Sequence, residues 1–133
     1  QQLGVEASFE QLDSTEDRGR AGTYHLSVYA EVTLPTGDPY SYLMNNFGTD
    51  GIQNFGKYSN AEVDELLDQL AMEFDVDKRN ELAAQIDGIV LSDNSICNIF
   101  HLNMYMAMKE TVVGLNQSPV DYYHITYQTC VEE

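Results

Sequence analysis

The chain has 133 residues, with six Lys and Arg against 22 Asp and Glu, and a formal net charge of −16. Its length suits one domain with a core and excludes two large domains, and its apolar share of 43% excludes a disordered chain. The strong negative charge excludes nucleic-acid binders, whose surfaces are basic, and disfavours contact with an anionic membrane face.

The first quarter of the chain is typical of strands. Apolar and polar residues alternate over residues 5–12, and aromatic and β-branched residues fill residues 24–32, which predicts two strands. Residues 1–4 resemble the last turn of a helix that ends at Gly4, so we expect the chain to be cut from a longer one.

Residues 34–39 predict a rigid turn that leads into a helix. Pro35 and Pro39 restrict φ, Gly37 permits a positive φ, and Asp38 can cap the helix that follows. One face of this helix carries Tyr40, Leu43, Met44 and Phe47. Ligands of α/β sheets gather beyond the carboxyl ends of strands, so this turn is either a ligand-facing loop or a plain structural turn.

Two strong helices are predicted next, over about residues 60–74 and from Asp75 or Asp77 to about residue 91. Ser59 and Glu62 have the spacing of a capping box at the first helix start. The buried face of the first helix is predicted to carry Val63, Leu66, Leu67, Leu70 and Phe74. Its outer face presents, as solvated charges, Asp64, Glu65 and Asp68. The inward stripe of the second helix is predicted to be Leu82, Ile86, Ile89 and Val90.

The last third of the chain is predicted to return to strands. Residues 96–102 are nearly all apolar, as in a central strand covered on both faces, and residues 104–108, 112–115 and 122–127 predict further strands. Strands, then helices, then strands indicate an α/β or α+β lobe. Cys97 is predicted to be buried, and a disulfide with Cys130 stays possible.

Catalytic and metal-binding patterns are missing from the sequence. It contains no G-x-S-x-G, Walker A, H-E-x-x-H or EF-hand loop. Surface or core positions explain the three scattered histidines better than a metal site: His25, His101 and His124. Core packing likewise explains the alternating methionines better than a soft-metal site: Met104, Met106 and Met108. The sequence therefore predicts no catalytic residue, no cofactor and no metal site.

Four segments resemble one family when they are taken together. They are GDPYSYL at 37–43, NFGKYSNAEVDELL at 54–67, FDVDKRNELAAQI at 74–86 with the apolar run at 96–102, and VVGLNQSPVDYYHI at 112–125. In this order and spacing they are similar to the C-terminal lobe of the family 5 extracellular solute-binding proteins, which deliver peptides, nickel or related solutes to ABC importers. The resemblance covers nearly the whole chain.

This resemblance implies an α/β fold, with a mixed β-sheet flanked by helices, as one lobe of a two-lobed class II periplasmic-binding-protein-like protein. Residues 1–133 would be a single domain, the C-terminal lobe. The implied protein is not an enzyme and works outside the cytoplasm, in the periplasm or as a cell-surface lipoprotein. Its implied partners are a small peptide or nickel chelate, ABC permease subunits and the missing N-terminal lobe, without nucleic acid. Alone, such a lobe is expected to bind its ligand weakly or not at all.

In the family the ligand lies between the lobes, near the segment that matches residues 29–40 here. The implied lining residues are Tyr29, Glu31, Thr33, Leu34, Thr36 and Tyr40. Asp38 is expected to cap its helix instead. Peptide binders often place an aspartate a few residues before the G-D-P turn, but that place falls near Pro35, so Glu31 would substitute only with an offset strand.

Nickel-type members carry aromatic residues and a histidine in this region, where this chain has Thr33 and Gly37 and no histidine over residues 48–56. The ligand class therefore stays open between a peptide and a nickel chelate. An alternative from another class is an acidic cell-surface lipoprotein module for interaction or sensing, which the net charge and the acidic helix faces would suit.

Overall fold

The computed structural model describes residues 4–11, 24–34, 37–101, 103, 105–116 and 125–132. The chain divides into two compact units, Gln1–Ala30 and Glu31–Glu133. The described part of the first unit forms neither helix nor strand. The second unit contains helices α1 (Tyr40–Phe47), α2 (Ala61–Met72) and α3 (Val76–Ser92), and strands β1 (Val112–Val113) and β2 (Cys130–Val131). Over the described ranges, none of the helices has the length and apolar character that a bilayer-spanning segment needs.

The three helices of the second unit share one apolar core. Each helix places one face in it, as the spacing of apolar residues predicts, and the buried side chains are Leu43, Phe47, Val63, Leu66, Leu67, Leu70, Ile86 and Val90. Side chains at the border of this core are half-buried, among them Tyr40, Met44, Leu82 and Ile89. Phe74 was predicted to be buried and is exposed, because α2 ends at Met72 and the helical spacing no longer applies beyond it.

Side-chain oxygens cap all three helices. Asp38 Oδ1 accepts from the Tyr40 N–H at 2.9 Å, which confirms the predicted cap at the start of α1. Asp75 Oδ1 accepts from the Lys78 N–H at 3.0 Å, at one of the two positions where the sequence predicts that this helix starts. The predicted Ser59 cap is wrong. Asn60 caps α2, because it directly precedes the first helical residue and its Oδ1 reaches the Glu62 N–H at 3.0 Å.

Arg79, at the end of the first turn of α3, joins the three helices. Its Nε and Nη2 donate to the Asp38 carboxylate at 2.9 and 2.8 Å. Its Nη1 donates to the carbonyl oxygens of Leu70 and Glu73, both at 2.6 Å. These carbonyls belong to the C-terminal end of α2, where backbone acceptors lack partners in their own helix and a cation is favourable. One guanidinium therefore connects the start of α1, the end of α2 and the start of α3.

The mixed sheet of the predicted α/β fold is confirmed only in part. Of the predicted strands, residues 5–11, 24–32, 96–101, 105–108 and 125–127 form no strand where the structure describes them. The segment 112–115 contains β1, which pairs antiparallel with β2 in the register Val112 to Val131. An alternating pattern indicates an extended backbone with two different faces, but a strand also needs a neighbour for its N–H and C=O groups. The pattern does not specify that neighbour.

The missing central strand also changes the surroundings of Cys97. This residue was predicted to be buried and is exposed, as are Ile99 and Phe100, because the described segment from 97 to 100 does not form the predicted central strand. Cys97 and Cys130 are both exposed free thiols, so the structure contains no disulfide between them.

Replacing Arg79 by Lys is expected to lower the free energy of unfolding by about 2 kcal/mol, because one ammonium cannot replace the planar donors that meet Asp38 and two carbonyl oxygens. Urea unfolding followed by the helical circular dichroism signal measures the change. The control variant Lys78→Arg alters an exposed neighbour and should stay within about 0.5 kcal/mol of the wild type. Equal stability of Arg79→Lys and the wild type would contradict the role of this guanidinium.

Candidate ligand-binding segment

The six residues implied as ligand-lining do not all fall in one unit. Tyr29 belongs to the first unit, and Thr36 lies outside the described residues. Glu31, Thr33 and Leu34 belong to the second unit and are exposed in the segment before α1, whereas Tyr40 begins α1 and packs half-buried against the core. The part of this segment that solvent can reach therefore presents a carboxylate, a hydroxyl and an apolar side chain.

Leu34, Gly37 and Asp38 form hydrogen bonds at the start of α1. The Gly37 N–H donates to the Leu34 carbonyl oxygen at 3.1 Å, and Gly37 has φ 80°, a conformation that glycine adopts without steric cost. Asp38 then caps α1 and forms the ion pair with Arg79, which engages both of its carboxylate oxygens. Asp38 is therefore a structural residue, as expected, with defined contacts at the start of α1.

Glu31 contacts a buried amide of α1. Asn46 is 6% exposed, and its Nδ2 lies 3.4 Å from Glu31 Oε1, 3.1 Å from the Tyr42 carbonyl oxygen and 3.5 Å from Gln53 Oε1. This neutral donor orients the Glu31 carboxylate without cancelling its charge. Glu31 is exposed, so its carboxylate is within reach of a cationic group in solution.

The loop between α1 and α2 supports Asn46 from the other side. Asn54 is buried in this loop, donates to the carbonyl oxygens of Gly48 and Tyr58 at 3.0 and 2.7 Å, and accepts from the Tyr58 N–H at 2.9 Å. The Gln53 N–H donates to the Asn45 carbonyl oxygen at 2.9 Å. These bonds close the loop on itself and keep Gln53 beside α1.

The same loop is fastened to α2 by Asp64. Its carboxylate accepts from the Thr49 N–H at 2.9 Å and from the Thr49 hydroxyl at 2.6 Å. Thr49 Oγ1 also lies 3.1 Å from the Ser59 hydroxyl. Asp64 was predicted to be a solvated charge of the outer helix face, and that prediction is wrong because the loop folds back over the first turn of α2.

A third connection joins the loop to the end of α3. The Tyr58 hydroxyl donates to Asp93 Oδ2 at 2.7 Å, and Asn60 Nδ2 donates to the same oxygen at 2.9 Å. Burial, followed by the hydrogen bond to Asp93, raises the pKa of Tyr58 to about 12. The hydrogen bonds from Tyr58 and Asn60 lower the pKa of Asp93. Residues 54–64 thus act as a scaffold for the segment that precedes α1.

Sequence reasoning missed three residues on which this arrangement depends. Arg79 stands near a helix N-terminus, where the macrodipole disfavours a cation, and this anomaly could have indicated a specific anionic partner. Asn46 interrupts the apolar face formed by Leu43 and Phe47, which could have indicated a buried polar contact. Asn54 lies in a polar loop, where the sequence carries no comparable signal.

Other candidate sites are weak. Among the described residues, no three His, Cys, Asp or Glu side chains lie close enough together to hold a metal ion. An open groove between α2 and α3 contains none of the implied ligand residues and is lined by Glu62, Ala84, Gln85, Gly88, Ile89 and Ser92.

Comparison with curated proteins finds relatives along most of the chain. It is 28% identical to the nickel-binding protein NikA of Staphylococcus aureus over 96% of its length. It is 30% identical to a dipeptide-binding protein of Pseudomonas aeruginosa, and 29% identical to a di/tripeptide-binding protein 1 of that species, each over 88% of its length. The chain spans about a quarter of these relatives, 26%, 22% and 22% respectively. No protein-family model and no solved structure matches the chain.

Two glycine variants are expected to change stability in opposite directions. A Cβ at Gly51 would lie 2.6 Å from the Met44 carbonyl oxygen and would also collide with that of Asn45, so Gly51→Ala should destabilise the protein by about 2 kcal/mol. Gly88 lies within α3 with open space around it, so Gly88→Ala should stabilise the protein by about 1 kcal/mol. Thermal unfolding of both variants tests the loop geometry, and a tolerated Gly51→Ala would contradict it.

Stability above pH 10 is expected to depend on Tyr58. An unfolded tyrosine ionises near pH 10, whereas Tyr58 in the folded protein keeps its proton up to about pH 12. The stabilisation is therefore complete below pH 10 and is lost as the pH rises to 12. The free energy of unfolding should fall more steeply over this range for the wild type than for Tyr58→Phe. Tyr105→Phe, at an exposed tyrosine, is the control and should follow the wild type, whereas parallel curves for Tyr58→Phe and the wild type would exclude the shift.

Proposed function

Because the curated relatives of this chain are family 5 solute-binding proteins, we propose that it belongs to the substrate-binding component of an ABC importer. The observation that carries this proposal is the match of about nine-tenths of the chain to nickel-binding and dipeptide-binding proteins. In this proposal the chain is the C-terminal lobe of the binding protein, and it closes on the ligand together with an N-terminal lobe.

The proposed ligand is a small peptide or a nickel chelate, and the proposed lining residues are Tyr29, Glu31, Thr33, Leu34, Thr36 and Tyr40. Three observations in the second unit support this segment. Glu31, Thr33 and Leu34 are exposed. The Asp38–Arg79 pair fixes the end of the segment. Asn46 orients the Glu31 carboxylate while leaving its charge available for a cationic group such as an amine.

In this proposal, the binding of the solute is the first step of its transport into the cell. The protein would work outside the cytoplasm, where binding closes two lobes around the solute and the permease subunits read the closed form. The names of the relatives describe binding proteins, which favours a role without catalysis. None of these names describes an adhesion or sensing module, so the alternative of an interaction lipoprotein gains no support from them.

Titration of the isotopically labelled chain with Ala-Ala and with a nickel–histidine complex tests this function by NMR. We expect one of them, at millimolar concentration, to perturb the backbone amides around residues 31–40, because these residues line the proposed site. Glu31→Gln should weaken the binding of the peptide amine about tenfold, since it removes a charge-assisted hydrogen bond. The control Glu62→Gln removes an exposed carboxylate from the start of α2 and should leave the binding of the peptide amine unchanged.

One outcome would contradict the proposed site: a set of spectral changes confined to the groove between α2 and α3, which would place the binding elsewhere in the unit.

A further inference from the structure

The connection between α2 and α3 exposes three apolar side chains in close succession. We name residues 72–77 the α2–α3 tip. Within it, Met72 is 77% exposed, Phe74 is 90% exposed and Val76 is 69% exposed, so none of the three contributes to the core. Exposed apolar side chains that are clustered in this way, rather than scattered singly, are typical of surfaces that contact another molecule.

Hydrogen bonds hold the middle of the tip, residues 73–75, which lies between the two helices. Glu73 Oε1 accepts from the N–H groups of Phe74 and Asp75 at 2.8 and 2.9 Å. Asp75 caps α3, and Arg79 holds the Glu73 carbonyl oxygen at 2.6 Å. The backbone that presents Phe74 is therefore ordered before any partner arrives, which reduces the entropy lost on binding. An ordered, protruding aromatic side chain is a common anchor at protein interfaces.

Carboxylates alternate with the apolar residues of the tip. The sequence of the tip is M-E-F-D-V-D, in which each apolar residue is followed by a carboxylate: Glu73, Asp75 and Asp77. Hydrogen bonds from the N–H groups of Asp75 and Phe74 lower the pKa of Glu73, so this carboxylate stays negative. Lys78 follows the tip, and the charge of Arg79 is balanced by Asp38. Residues 61–92 as a whole contain nine carboxylates against two cations.

We propose that the α2–α3 tip docks a protein partner whose apolar pocket receives Phe74 and whose rim carries Lys and Arg. Charge complementarity selects this occupant, because a cationic rim would pair with the carboxylates that alternate along the tip. A second copy of this chain would bring another net charge of −16 to the contact. An anionic lipid surface would repel the tip for the same reason. The inference does not depend on which solute the protein binds.

A fluorescent peptide of alternating Lys and Leu residues serves as the probe for this surface, with a Glu and Leu peptide as its counterpart. Fluorescence anisotropy at physiological ionic strength should show binding of the Lys and Leu peptide by the full chain. Phe74→Ser should weaken this binding about tenfold, because it removes the apolar anchor and keeps the net charge. Asp77→Asn should weaken it and reduce its salt dependence. The matched control Ile52→Ser removes another exposed apolar side chain and should leave binding unchanged.

Several outcomes would overturn the proposal, provided that circular dichroism shows the variants to be folded. Equal binding by Phe74→Ser and the wild type would mean that net charge alone attracts the peptide. Equal binding of the Glu and Leu peptide would exclude a cationic rim. A dimer in sedimentation that Phe74→Ser converts to monomer would assign the tip to a second copy of the chain. Binding to phosphatidylcholine or phosphatidylglycerol vesicles that Phe74→Ser abolishes would assign it to lipid.

Discussion

The contact between the Arg79 guanidinium, the Asp38 carboxylate and two carbonyl oxygens at the end of α2 organises the helical unit. A guanidinium is planar and carries five donors in fixed directions, so this contact sets the relative orientation of the three helix ends as well as their distance. Apolar contacts between helices are less directional and tolerate sliding. In this unit the burial of the shared core holds the three helices together, and Arg79 sets the relative orientation of their ends.

Both proposed surfaces take their rigidity from this contact. Asp38 is held at the start of α1, and the neighbouring Gly37 N–H donates to the Leu34 carbonyl oxygen, so the Glu31–Leu34 segment is anchored at its C-terminal end. The Glu73 carbonyl oxygen, which belongs to the α2–α3 tip, is held by the same guanidinium. Asn46, Asn54 and the loop before α2 support the candidate ligand-binding segment through Glu31. Several polar side chains of the stretch NFGKYSNAEVDELL form these bonds and so stabilise the fold. The exposed groups around Glu31 and Phe74 are available to other molecules.

Helices and strands were predictable to different degrees for one reason. A helix satisfies its backbone within its own segment, and its buried face follows from residues three and four apart, so Leu67, Ile86 and Phe47 were placed correctly from spacing alone. The errors lie at the helix boundaries. Ser59 was predicted to cap α2, but Asn60 does so, and Phe74 was predicted on the buried face although α2 ends at Met72. A strand pattern does not specify which segment pairs with the strand. Cys97 and Phe100 were predicted to lie in a central strand covered on both faces, but they are exposed.

The sequence by itself determined the three amphipathic helices, the Asp38 cap, the positive φ of Gly37 and the family resemblance, because each is carried by neighbouring residues with a characteristic spacing. It also indicated the segment around Glu31 as the proposed site, through that resemblance. The tertiary structure alone decided that Arg79 pairs with Asp38, 41 residues away, that Tyr58 meets Asp93, and that Asn46 reaches Glu31. These contacts join residues that are remote in the chain, and only the packing of the helices brings each donor within 3.4 Å of its acceptor.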